Sequence, residues 1–231
     1  MRYYNAFIKV TFPYKGYGLA ATLRHMSYGI FKGYNEKGDP TSNYSASDTW
    51  VSCSIAKPIY SENINLGASI GYIYSNIDDL SSILLTGTTG ISLNINRYKT
   101  NLGIALRNMI VDIKSYSYNN YYNPILINIS ASKQLAYLPL TTSIDLDLNT
   151  KSKLQNIRLA GIFTLTNSLI FKFGTSLNRK DQSLNLGFFR DFFADTGLGF
   201  SLSTQQYVID VGTYFYGIGG AVFSMGIGLK L

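Results

Sequence analysis

The feature that most constrains this chain is a period of two. Residues 64–72 read Ile64-Asn65-Leu66-Gly67-Ala68-Ser69-Ile70-Gly71-Tyr72, with Ile, Leu, Ala, Ile and Tyr on one side and Asn, Gly, Ser and Gly on the other. The same alternation returns as Ile91, Leu93 and Ile95 against Ser92, Asn94 and Asn96, and as Ile125, Ile127 and Ile129 against Leu126, Asn128 and Ser130. Ile144, Leu146 and Leu148 flank Asp145 and Asp147, and Leu169, Phe171 and Phe173 flank Ile170 and Lys172. At the end, Ala221, Phe223, Met225, Ile227, Leu229 and Leu231 alternate with Val222, Ser224, Gly226, Gly228 and Lys230. Successive side chains of a strand point to opposite faces, so the pattern predicts strands with one apolar and one polar face. No helix-period segment of useful length competes with it.

The polar side is the second constraint. It consists of Ser, Gly, Asn and Thr with an occasional charge, whereas the outward face of a β-sandwich usually carries abundant Lys and Glu. Charged residues make up 14% of the chain, against about 25% in ordinary soluble domains. Tyr and Phe number 19 and 13, yet mean hydropathy is only +0.05, so apolar and uncharged polar residues are finely mixed. No stretch approaches the roughly 18 consecutive apolar residues of a spanning helix, while many segments reach the roughly 9–11 residues of a tilted spanning strand. In lipid every backbone polar group needs an internal partner, so a chain that spans with strands must close them into a barrel.

Turn signals cut the chain at Pro13-Tyr14-Lys15-Gly16, Asn35 to Pro40, Ser61-Glu62-Asn63, Asn76 to Asp79, Tyr98-Lys99, Ser115 to Asn123, Asn149-Thr150-Lys151, Asn178 to Ser183 and Tyr216 to Gly219. Short and long connections roughly alternate. The expected fold is all-β: an antiparallel transmembrane β-barrel of roughly 13–14 strands, with residues 1–231 as a single outer-membrane domain. The count on this chain is roughly thirteen, and single-chain bacterial barrels have even numbers, so one strand is expected before Met1. Met1-Arg2-Tyr3-Tyr4-Asn5 lacks the apolar region of a secretory signal, which reads as a chain beginning inside a longer protein.

Chemistry-bearing residues are sparse. One cysteine, Cys53, excludes an internal disulfide and reads as a small apolar strand residue between Ser52 and Ser54. One histidine, His25, has no second histidine or cysteine cluster beside it and reads as a strand or rim residue. Gly197-Leu198-Gly199 and Gly217-Ile218-Gly219-Gly220 lack the helix and Lys-Ser/Thr of a phosphate loop. No catalytic, cofactor-binding or metal-ligating set emerges, so the expectation is a non-enzyme without cofactor. Net charge is +7, but the positive residues are scattered, and a nucleic-acid partner is not expected.

Charges within strands are the candidate site. Lys9, Arg24, Arg107, Asp145, Asp147, Arg158, Lys172, Asp210 and Lys230 occupy the polar register. A lipid-facing Arg or Lys at the midplane costs about 2–4 kcal/mol, so these groups are expected to face a lumen or lie near a rim. Either they neutralise one another inside a plugged barrel or they line a path for solute. Tyr3, Tyr4, Phe12, Tyr28, Phe31, Trp50, Tyr60, Tyr74, Tyr98, Tyr137 and Tyr207 fit interfacial girdles. Tyr116, Tyr118, Tyr121 and Tyr122 form a candidate partner loop, or a girdle extension. Phe188-Phe189-Arg190-Asp191-Phe192-Phe193 could contact lipid, a partner or an interior.

Several ordered segments resemble a known group. Tyr28-Gly29-Ile30-Phe31-Lys32-Gly33-Tyr34-Asn35-Glu36-Lys37-Gly38, then Ser45-Ala46-Ser47-Asp48, Gly71-Tyr72-Ile73-Tyr74-Ser75, Arg107-Asn108 and Pro124 leading to Ser132-Lys133-Gln134-Leu135 and Pro139 are similar to the PorQ branch of the PorV/PorQ proteins. The resemblance is clearest over residues 17–140. It implies a FadL-like barrel of about fourteen strands in the type IX secretion system of Bacteroidetes-like bacteria. It also implies a signal peptide, an N-terminal plug and a first strand that this sequence lacks. None of the matching motifs is catalytic.

The expected role is therefore a non-catalytic outer-membrane component of a type IX protein secretion system. It would sit in the outer membrane of a Gram-negative, Bacteroidetes-like cell. Its expected partners are outer-membrane lipid and secretion subunits or secreted cargo. The alternative is a FadL-type channel for long-chain fatty acids or other hydrophobic solutes; a diffusion porin and a soluble sandwich or adhesin stand behind it.

Overall fold

A computed structural model describes residues 4–60, 63–116, 124–150, 153–177, 193–216 and 220–230. The fold is all-β: thirteen antiparallel strands in one sheet, in chain order. They are β1 Tyr4–Tyr14, β2 Tyr17–Phe31, β3 Tyr44–Tyr60, β4 Ile64–Ile77, β5 Leu80–Ile95, β6 Thr100–Lys114 and β7 Leu126–Gln134. They continue as β8 Leu140–Asn149, β9 Leu154–Thr164, β10 Leu169–Ser176, β11 Thr196–Ser203, β12 Tyr207–Tyr216 and β13 Gly220–Leu229. The period-two reading of the sequence thus gives the observed strands. Among the described residues β1 pairs with β2 alone and β13 with β12 alone. No described helix is long and apolar enough to cross a membrane, which says nothing about crossing by strands.

Local chemistry explains the turns. Lys15 and Gly16, at φ 48 and 81, join Tyr14 to its partner Tyr17. Two left-handed residues make the type I′ turn whose twist matches that of the flanking strands. Asp78 takes the same left-handed conformation between β4 and β5. In the connection 32–43 the Asn35 side-chain carbonyl accepts the backbone N–H groups of Lys37 and Asp39 at 3.0 and 2.8 Å. Asn35 therefore folds this loop on itself, as Asx turns do. Connections after odd-numbered strands are short. The long connection 32–43 follows the even-numbered strand β2.

The chain forms two compact units: residues 1–92 with 105–126, and residues 93–104 with 127–231. In each unit burial is inverted relative to a soluble domain. In the first, the apolar register presents Leu23, Val51, Ile55, Leu66 and Ile70 to the outside, while Ser82 and Gly71 on the polar register are buried. In the second, Leu159, Phe200, Val211, Met225 and Ile227 are exposed and Phe223 is 81% exposed, whereas Asp147 is 5% and Ser201 3% exposed. The buried apolar residues among those described are Ala46 and Ala194, both small. Among the described residues neither unit has a packed apolar core. The apolar residues pack sideways along the sheet: the Phe171 and Phe200 rings, directly cross-strand, have centroids 5.0 Å apart.

Candidate functional site

The polar face of the second unit carries a set of charge pairs. Asp145 and Asp147 lie two residues apart on β8, so both side chains leave the same face. Arg158 of β9 sits directly opposite Asp145, yet its guanidinium reaches diagonally to Asp147 at 2.6 Å. The amide of Asn128 on β7 donates to the other oxygen of Asp147 at 2.8 Å. Buried Asp147 is thus held by one charged and one neutral donor, as a sheltered carboxylate requires. On the next strands Lys172 meets Asp210 at 2.9 Å, and the Ser201 hydroxyl donates to the same oxygen. Asp195, buried and left-handed at φ 53, receives the hydroxyls of Ser176 and Tyr214.

The polar face of the first unit is organised differently. Cross-strand register lines up Phe7, Arg24, Trp50 and Ile73 in one row, and Lys9, Thr22, Ser52 and Gly71 in the next. Arg24 Nε donates to Asn5 Oδ1 at 3.0 Å. The indole of Trp50 lies against the bare backbone of Gly71, beside the Thr86 hydroxyl, where a side chain at position 71 would collide with it. The row beyond Arg24 holds Asp48, which accepts the Tyr28 hydroxyl at 2.6 Å and that of Ser75; Tyr116 donates to Ser75 at 2.6 Å. In the other direction the face opens into a trough of about 520 Å³, lined by Thr11, Phe12, Pro13, Leu19, Ala20, Ser54, Ile55, Gly67, Ser69 and Thr88 among others.

These positions can be set against the sequence reading. Asp147 with Arg158, and Lys172 with Asp210, are brought together as ion pairs. Asp145 lies on the same face of the second unit without an ion-pair partner among the described residues; in the first unit Lys9 and Arg24 likewise have none among them. Arg107 is exposed just before the left-handed Asn108. Lys230 follows the last strand, and its ammonium holds Ser203 Oγ and the Thr204 carbonyl, both at 2.7 Å, at the β11–β12 turn. His25 lies on the apolar side of β2 and bonds the Thr49 hydroxyl at 2.9 Å. Cys53 is exposed between Val51 and Ile55, in the apolar register expected of it.

One reading changes. Trp50 is no girdle residue: it lies mid-strand on the polar face, where glycine at position 71 makes room for its indole. Tyr28, near the end of β2, donates its hydroxyl to Asp48. Tyr116 is half-buried and its hydroxyl donates to Ser75. Tyr118, Tyr121 and Tyr122, with Phe188 to Phe192, lie outside the described residues. Sequence reasoning missed Asp48, Asp195 and Asn128 as members of polar clusters. The alternation placed Asn128 on a polar face, but nothing local showed that hydroxyls or a guanidinium from other strands converge on these residues.

The arrangement can hold charge on a sheltered face and present free cations and aromatic surface to a polar ligand. Comparison with known proteins adds little. No family model matches the chain, and no curated protein matches it. Among solved structures, CdiB from Acinetobacter baumannii superposes with a TM-score of 0.45 and 11% identity, over 98% of this chain and 50% of that one. This chain therefore spans half the length of that protein. At that TM-score the likeness assigns neither family nor function.

Proposed function

We propose that this chain is the wall of an outer-membrane β-barrel. It serves without catalysis in a type IX protein secretion system, as a PorQ- or PorV-like component that binds exported proteins or sister subunits at the cell surface. The observation that carries the membrane part is the inverted burial. Rows of Leu, Ile, Val and Phe are exposed on the face opposite buried Ser82, Asp147 and Ser201. A large contiguous apolar surface is costly in water and is relieved in hydrocarbon. The secretion part is supported by the ordered PorQ-like segments between residues 17 and 140.

Two measurements separate the parts. Expressed with an outer-membrane signal, the chain should pellet with membranes after carbonate extraction; release into the supernatant defeats the barrel reading. Pull-down from native membranes should recover secretion-system subunits or secreted cargo. If it recovers neither, the secretion role fails and the barrel stands. The second reading is a hydrophobic-solute channel, and the observation that favours it is the presence of Phe12, Pro13, Leu19 and Ile55 among the residues that border the trough.

A further inference from the structure

Aromatic side chains on a polar, water-facing sheet surface are unusual enough to need a reason. Phe7 and Trp50 both lie on the polar face of the first unit, separated only by Arg24, which is the register partner of each. Phe7 is 65% exposed on the edge strand β1, and Trp50, whose indole rests on Gly71, keeps 38% exposure. Lys9 is one row away on the same face, and neither Lys9 nor Arg24 has an ion-pair partner among the described residues. The carboxylate near them, Asp48, is occupied by the hydroxyls of Tyr28 and Ser75. The trough then begins at Thr11, two residues beyond Lys9 on β1, and hydroxyls of Thr11, Ser54, Ser69 and Thr88 line it.

The geometry points to a binding site for an acidic oligosaccharide on this face. A sugar ring has a polyhydroxyl rim and C–H faces that rest on aromatic rings. An acidic sugar adds a carboxylate that a guanidinium binds in bidentate fashion. Trp50 and Phe7 supply the platforms, Arg24 and Lys9 the cations, and the Thr and Ser hydroxyls of the trough a row of partners for sugar hydroxyls. Phe12, Pro13, Leu19 and Ile55 also border the trough, so a fatty chain is the competing occupant, and dodecyl phosphate is the probe for it. This site stands independently of the secretion role: the pull-down can fail while glycan binding persists.

Trp50 is the single tryptophan of the chain, so its fluorescence reports on the site directly. The full chain, refolded in detergent, is titrated with trigalacturonic acid, with neutral maltotriose and with dodecyl phosphate. Trigalacturonic acid should change the Trp50 emission saturably and bind at least about tenfold more tightly than maltotriose, a difference of about 1.4 kcal/mol. Lys9→Gln combined with Arg24→Gln should remove that preference while far-UV circular dichroism stays unchanged. Trp50→Phe, followed by calorimetry, should weaken both sugars alike. Equal binding of the acidic and neutral sugars, an unaltered preference in the folded Lys9/Arg24 variant, or saturable binding of dodecyl phosphate alone would overturn the assignment. Should the Lys9/Arg24 variant fail to fold, rising salt on the wild-type chain decides instead. The acidic sugar's advantage should shrink with salt, and a salt-independent preference refutes the role of the cations.

Discussion

At Asp147 a buried carboxylate depends on a donor from each neighbouring strand. Asn128 on one side and Arg158 on the other satisfy its two oxygens. Replacing it with alanine leaves the Arg158 charge beside a void and strands the Asn128 amide. Fully buried pairs lose about 3–5 kcal/mol when one partner goes. Arg158 keeps 37% exposure, so part of its charge is rehydrated. Asp147→Ala is therefore expected to lower the unfolding free energy in detergent by about 2 kcal/mol, in the range for hydrogen bonds to charged groups. Asp147→Asn should cost less, since it keeps one acceptor. Urea midpoints in a fixed detergent measure both. At Asp145, which lacks an ion-pair partner among the described residues, the change to alanine should be close to neutral.

The strand shows its two faces most sharply at neighbouring residues. On β3, Val51 is exposed and Ser52 half-buried. In water the exposed site would accept an arginine and the half-buried one resist it. If the apolar face meets lipid, the order reverses. Val51→Arg should then cost about 2–4 kcal/mol, and Ser52→Arg distinctly less. The folded fraction of each variant in lipid vesicles, read as the heat-modifiable band on a gel, decides between the two orders.

A second feature of the element scale is how strands keep those faces through irregularities. On β6 the exposed apolar residues are Leu102, Ile104 and Leu106, all even-numbered, and then Val111 and Ile113, both odd. Between them Asn108 adopts φ 58. One left-handed residue absorbs the extra position and returns the apolar residues to their own side. On β2 the register shift between Ser27 and Gly29, with Gly29 at φ 86, does the same before Ile30. A β-branched residue at position 108 would be strained: Asn108→Val should destabilise the fold by about 1–2 kcal/mol, and Asn108→Gly should not. Thermal melts of the two variants give that comparison directly.

For the whole molecule the question is what surrounds the sheet. The connection after β1 is the tight Lys15-Gly16 turn, and the one after β2 is the long loop around Asn35. Antiparallel neighbours put these at opposite ends of the strands. If β1 and β2 cross a bilayer, single cysteines at the two places must face opposite compartments. In a Cys53→Ser background, Lys15→Cys and Glu36→Cys should be labelled by a membrane-impermeant maleimide from opposite sides of proteoliposomes. Labelling of both from one side would mean that the strands lie on a surface and do not span.

The sequence alone was enough for the strands, their approximate number and the two chemically distinct faces. A period of two is a local property, since each side chain's direction follows from its neighbour's along the backbone. It was also enough to put Asp147, Arg158, Lys172 and Asp210 on the polar face. What it left open was cross-strand arithmetic: Arg158 faces Asp145 but bonds Asp147, and the indole of Trp50 comes to rest on Gly71 of the next strand. Those choices depend on register between segments distant in the chain and on left-handed residues that shift parity within a strand. Only the folded sheet brings such residues together, because cross-strand neighbours are chosen by the whole ladder and not by the residues beside them in the chain.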